Sequence, residues 1–99
     1  MKREVWSAHA RADFDYYLAY VAERSPQAAQ RLSDAILGST AALCQTNSGR
    51  IGRVNGTFEK VIRRQPYIVL FELIEDEVRI LRIAHAARNW PEGEMPPPV

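Results

Sequence analysis

A chain of 99 residues, 46% of them hydrophobic and 25% charged, holds one domain with one core and lies outside the disordered and fibrous ranges of composition. The net charge of +1 gives no strongly acidic or basic character, and no run reaches the roughly 20 apolar residues that span a bilayer. One cysteine, Cys44, excludes an internal disulfide and suits a reducing compartment; with an N-terminus charged from its second residue and lacking a signal peptide's apolar core, a cytoplasmic protein is expected.

Residues 3–7, "REVWS", are expected to form a short strand, favoured by Val5 and Trp6. The period then changes. Ala10, Phe14, Leu18 and Val21 recur at helical spacing within residues 8–24, which places them on one face of a helix capped by Ser7. Asp13 and Asp15 early and Arg24 late suit the dipole of that helix. Pro26 disfavours helical geometry at Ser25 and so ends the first helix. The same pair opens a second, with Ser25 as N-cap and Pro26 at the first helical position, where its missing N–H costs nothing. Ala29, Leu32, Ile36, Thr40 and Leu43 mark the inner face of this second helix, and "QTNSG" ends it. So short a connection folds the two helices into an antiparallel hairpin.

The remainder reads as sheet. "FEKVIRR", residues 58–64, is a strand, and Gln65 and Pro66 turn the chain into "YIVLFELI", an apolar run suited to a central strand. "EDE" turns it again into "VRILRIAHA", residues 78–86, completing a three-strand antiparallel meander. Counting by twos puts Arg79, Leu81, Ile83 and His85 on one face of the last strand and Val78, Ile80, Arg82 and Ala84 on the other. Arg82 thus falls among apolar neighbours, where a guanidinium needs a partner. The order implies an α+β domain, β-α-α-β-β-β, with a helical hairpin packed on a small antiparallel sheet of four strands. Residues 1–91 form the domain and residues 92–99, "PEGEMPPPV" without its first proline, a flexible proline-rich tail.

Charge is unevenly placed along this frame. "GRIGRVNGTFEKVIRR" holds Arg50, Arg53, Lys60, Arg63 and Arg64 against the single acid Glu59, and an acidic cluster of Glu72, Glu75, Asp76 and Glu77 follows. The glycines allow tight turns into the sheet, and the cations are expected to form a surface for an acidic partner. The run lacks the Lys-Ser/Thr ending of a P-loop. His9, His85 and Cys44 stand apart in sequence, so neither a metal nor any other cofactor is implied.

"VWSAHARADFDYYLAYVAERSPQAAQRL", "GRIGRVNGTFEKVI", "YIVLFEL" and "VRILRIAHAARNWP" resemble the RelE/ParE superfamily of toxins from bacterial type II toxin–antitoxin systems, the ParE branch most closely. The likeness runs from about Val5 to Pro91 and implies a helical hairpin on a small curved antiparallel sheet. Two departures stand out: Phe58 follows Thr57 where ParE-like sequences usually carry an arginine, and Asn55-Gly56 precede Thr57 where a proline commonly precedes the glycine.

The resemblance implies a choice of activity. ParE-like members poison DNA gyrase and need no catalytic set; Arg50, Arg53, Lys60, Arg63, Arg88 and Trp90 are the residues suited to gripping gyrase or a cognate antitoxin. RelE-like members cleave mRNA on the ribosome without a metal. For that reaction Glu59 or His85 would serve as base or acid, and Arg63 and Arg82 would stabilise the phosphorane. Strand counting puts Glu59, Arg63 and His85 on one sheet face and Arg82 on the other. Asn89 and Trp90 stand where many RelE-like nucleases place a tyrosine. No catalytic residue is assigned on this basis. The expected partners are an antitoxin, in a toxin–antitoxin hetero-oligomer, and gyrase, with the ribosome and mRNA as the alternative and no membrane. A degenerate member that binds an antitoxin without toxicity is a third reading.

Overall fold

The computed structural model describes residues 1–88 and 90–98; Asn89 and Val99 lie outside the described residues. Seven elements follow one another: β1 (Arg3–Trp6), α1 (Ala8–Ala22), α2 (Pro26–Leu43), β2 (Arg50–Ile51), β3 (Phe58–Val61), β4 (Tyr67–Ile74) and β5 (Glu77–His85).

Local chemistry places the helices where the sequence puts them. Ser7 Oγ accepts the Ala10 N–H at 3.0 Å and donates to the Leu81 carbonyl at 2.9 Å, so one hydroxyl caps α1 and pins its start to β5. Ser25 Oγ accepts the Ala28 N–H at 3.1 Å, with Pro26 in the first turn of α2. Ala29, Leu32, Ile36, Thr40 and Leu43 are all buried, as their spacing predicts. Along α1 the buried residues are Ala10, Asp13 and Tyr17, whereas Phe14, Leu18 and Val21 are half-buried. The apolar stripe therefore flanks a buried polar line. Asp13 lies in the second turn, beyond the reach of the helix dipole, and Arg24 lies past the helix end with its guanidinium over the Tyr20 ring at 5.0 Å.

The sheet has five strands in the order β1-β5-β4-β3-β2. The α+β class and the meander β3-β4-β5 agree with the sequence reading, and two features correct it. β1 runs parallel to β5, so the sheet is mixed; a parallel pair needs a long crossover, which the helices and the meander supply together. β2 pairs antiparallel with β3 through Arg50 opposite Glu59, a strand too short to carry any period in sequence.

A bulge also shifts the faces of β5. Leu70 opposes Arg82 while Phe71 opposes Ile80, leaving Leu81 as the extra residue. Val78, Ile80 and Ile83 therefore all join the main core against Leu32, Ile36 and Tyr17. On the opposite sheet face Ile68, Leu70, Ala84 and Trp90 form a second, smaller core beside Leu81. The bulge falls where β1 ends, at Trp6 opposite Ile80, and beyond it the edge of β5 has no strand beside it. Asp13 occupies that edge: its carboxylate accepts the Ile83 N–H at 3.0 Å and holds Arg82 through Nε at 2.7 Å and Nη2 at 3.2 Å. This is the partner that Arg82 requires. The proline-rich segment lies over the same arginines, with the Pro96 and Pro97 carbonyls accepting from Arg82 and the Pro98 carbonyl from Arg88.

Candidate partner-binding surface

The basic segment enters the sheet through two close backbone contacts. A methyl group on Gly49 would meet the Phe71 ring at 2.7 Å, and one on Gly52 would collide with Thr57 Oγ1. With glycine at both positions, β2 lies flat on β3 and Glu59 comes inside the corner.

Glu59 is 2% exposed and accepts four hydrogen bonds: from Arg50 Nη2 at 3.2 Å, the Arg53 backbone N–H at 2.9 Å, Arg53 Nε at 3.1 Å and Arg53 Nη2 at 3.2 Å. Arg53 also donates to the Trp90 carbonyl at 3.1 Å and sits 4.0 Å over the Trp90 ring. With Glu92 on the rim, this corner carries two cations and two anions. At Arg50 and Arg53 the charge of the expected cationic face is met within the chain: the strand pairing that β2 introduces brings both guanidiniums onto Glu59. Only Arg50 keeps most of its side chain, 59%, in solvent.

Burial by itself would raise the Glu59 carboxyl, but hydrogen bonds from the Arg53 backbone and side chain and from Arg50 outweigh it and hold the group below the ordinary carboxylate range. Because the folded pKa is the lower one, this contribution to stability is complete above the unfolded value of about 4.3. It declines as pH falls through the folded value. Glu59→Gln should cost about 2 kcal/mol at pH 7. Urea midpoints of the two proteins should converge as pH drops toward 3, and a constant gap would refute the clamp.

The remaining candidates lie in separate places. Lys60 is half-buried and borders, with Arg63 in the following turn, a shallow groove between β3 and α2. Arg88 follows β5, whose next residue, Ala86, donates its N–H to the Pro66 carbonyl at 2.8 Å. Trp90 is 7% exposed and closes the second core.

The nuclease set is not assembled. Glu59 faces the Leu70 side of the sheet, His85 lies opposite Tyr67 on the helix side, and Arg82 is bound to Asp13. The extra residue Leu81 reverses the alternation of β5, so both face expectations fail: His85 parts from Glu59, and Arg82, opposite Leu70 as Glu59 is, shares the face of Glu59. Cys44 is no activated thiol: burial pushes its pKa up, and the nearby Glu4 adds to the rise. Sequence reasoning missed Asp13 as the partner of Arg82. It also missed the gathering of Tyr16, Tyr17, Tyr20 and Tyr67 beside His85, signalled only by three tyrosines on adjoining positions of one helix.

The sequence model described as the ParE toxin of the type II toxin–antitoxin system parDE matches residues 5–90. This chain belongs to the ParE toxin family. It is 36% identical to Y4kP of Sinorhizobium fredii, a protein named as a toxin, over 92% of this chain and 95% of that one. It is 30% identical to Toxin RelE2 of Caulobacter vibrioides over 89% and 99% of the two chains. Among solved structures, a chain of the chromosomal ParDE system of P. aeruginosa superposes with a TM-score of 0.74 at 27% identity, covering 86% of this chain and 96% of that one. A chain of the toxin–antitoxin complex RelBE2 from Mycobacterium tuberculosis shares the fold at a TM-score of 0.54 and 22% identity, covering 85% and 96%. The ParE-family chain is therefore a toxin-type member of a type II toxin–antitoxin system, with two helices on a five-stranded mixed sheet.

Proposed function

We propose that this chain poisons DNA gyrase without cutting RNA, and that a cognate antitoxin neutralises it in the cytoplasm. The observation that carries the non-catalytic reading is the dispersal of the nuclease candidates. A general base must reach the proton it removes and be free to take it. Glu59 instead accepts four hydrogen bonds within its own chain, and His85 lies on the other side of the sheet. The description of the matching family as ParE, and the likeness to a chain of a ParDE system, favour gyrase as the target. No helix among the described residues is long and apolar enough to cross a membrane, which is compatible with a cytoplasmic site of action.

The antitoxin reading draws on the solved neighbours, whose names describe toxin–antitoxin systems and complexes. Of the cations singled out in the sequence, Lys60, Arg63 and Arg88 form no ion pair among the described residues and, with the exposed part of Arg50, are open to an acidic partner. Arg53 and Trp90 hold the shape of the corner between them.

Induction of the chain in bacteria should cause DNA damage and filamentation while mRNA stays intact, and the purified chain should inhibit supercoiling by gyrase. An early fall in protein synthesis with cut mRNA would establish the ribosome-dependent nuclease in its place. Unimpaired growth would leave a member that binds an antitoxin without toxicity.

A further inference from the structure

The end of the sheet where β4 begins and β5 finishes bears a cleft of about 260 Å³ lined by Tyr16, Tyr17, Tyr20, Tyr67, His85 and Arg88. Each lining side chain carries a hydrogen-bond donor, and none is an acid. Tyr17 and Tyr67 are almost fully buried, and burial pushes both phenols above their ordinary range, so they remain donors at neutral pH. His85 Nδ1 accepts the Ala87 N–H at 3.1 Å, which leaves the ring proton on Nε2. Arg88 gives one N–H to the Pro98 carbonyl and makes no ion pair among the described residues.

The surroundings reinforce this polarity. Arg63 and Arg64, in the turn that leads into Tyr67, also make no ion pair among the described residues. Asp13, an acid one helical turn from Tyr17, is held by Arg82 and the Ile83 N–H. The contrast with the Arg50–Arg53 corner is one of charge: there the acid is built in, whereas here the described residues lining the cleft supply none.

We propose that this cleft is a carboxylate-binding subsite that receives an aspartate or glutamate side chain from a partner polypeptide. The carboxylate would meet the Arg88 guanidinium and the tyrosine hydroxyls, a charge-assisted arrangement, while its stem lies against the half-exposed rings of Tyr16 and Tyr20. The inference rests on the reading that this chain works in complex with another protein.

The ring geometry selects a polypeptide over a nucleic acid. Single-stranded bases bind by stacking on open aromatic faces. Here the rings meet one another edge to face: Tyr16 with Tyr17 at 81°, Tyr17 with Tyr67 at 62° and Tyr67 with His85 at 77°. One face of the Tyr20 ring carries the Arg24 guanidinium, 5.0 Å from its centroid. What the cleft offers is hydroxyls and ring edges, which suit a carboxylate on an aliphatic stem.

The test titrates the nitrogen-15-labelled full chain with three probes: a glutamate tripeptide blocked at both ends, its glutamine counterpart and a uridine trinucleotide. The glutamate peptide should shift the His85 ring and Arg88 side-chain resonances saturably, binding about ten-fold or more tightly than the glutamine peptide. Arg88→Gln should abolish that preference, and Arg31→Gln, on the outer side of α2, should keep it. Equal binding of the two peptides, or tighter binding of the trinucleotide, would overturn the proposal. These measurements need neither antitoxin nor gyrase, so a failure of the gyrase reading leaves them standing. Conversely, an antitoxin complex that forms while Arg88→Gln keeps the glutamate preference would remove the cleft assignment alone.

Discussion

Replacing Asp13 with alanine is expected to destabilise the fold by about 3–5 kcal/mol, the usual result of stripping one partner from a buried ion pair. The side chains of Arg82 and Asp13 are 3% and 0% exposed, and they meet through two hydrogen bonds. The alanine would leave a guanidinium inside the molecule with only the Pro96 and Pro97 carbonyls to solvate it, and would orphan the Ile83 N–H on the bare edge of β5. Since a domain of this size has a total stability of about 5–15 kcal/mol, the melting temperature should fall on the order of 15–25 °C. Adding Arg82→Met should restore part of the loss, because the unpaired charge is then gone. A single variant within about 1 kcal/mol of the parent would mean that water reaches the pair and that it contributes little.

Trp90→Ala should cost about 3 kcal/mol, the lower end of the range for removing a buried tryptophan, because the site lies near the chain end and can partly collapse. Trp90 covers Ile68, Leu70 and Ala84 on the sheet face away from the helices, and its indole N–H donates to the Glu94 carbonyl. Its removal also uncovers the guanidinium of Arg53 and the carboxylate of Glu59 beneath it. Two losses are therefore coupled: apolar area on the second core, and the ring that covers the Arg53 guanidinium of the Arg53–Glu59 clamp. Chemical denaturation should show a lower midpoint at unchanged slope. Trp90→Phe should recover most of the apolar contribution. If Trp90→Ala leaves the midpoint in place, the second core is not cooperative with the first.

Both predictions concern contacts that the sequence hid, and the reason is distance along the chain. Capping depends on residues three apart, so Ser7, Ser25 and Pro26 announce their helices, and the inner face of α2 follows from a repeat within one element. The meander is similarly local, because each strand is joined to its neighbour by a turn of a few residues. The family likeness draws on the same order of elements and on the motifs at their junctions. Arg82 even advertised a missing partner, since a cation among apolar residues cannot be left alone.

Tertiary structure decided the rest. Asp13 meets Arg82 across 69 positions, and only the docking of α1 on the edge of β5 brings them together. The parallel pairing of β1, the extra residue Leu81 and the two-residue strand β2 all lie below what a periodic pattern can express. Those three features determine the sites. They bring Arg50 and Arg53 onto Glu59 and part Glu59 from His85, while the docking of α1 on the sheet sets its three tyrosines beside Tyr67 and Arg88. Composition and spacing thus set which helices and strands form and which family they resemble. Which cations stay open to a partner depends on long-range pairing, because a charge is neutralised by whatever the fold brings within a few ångströms.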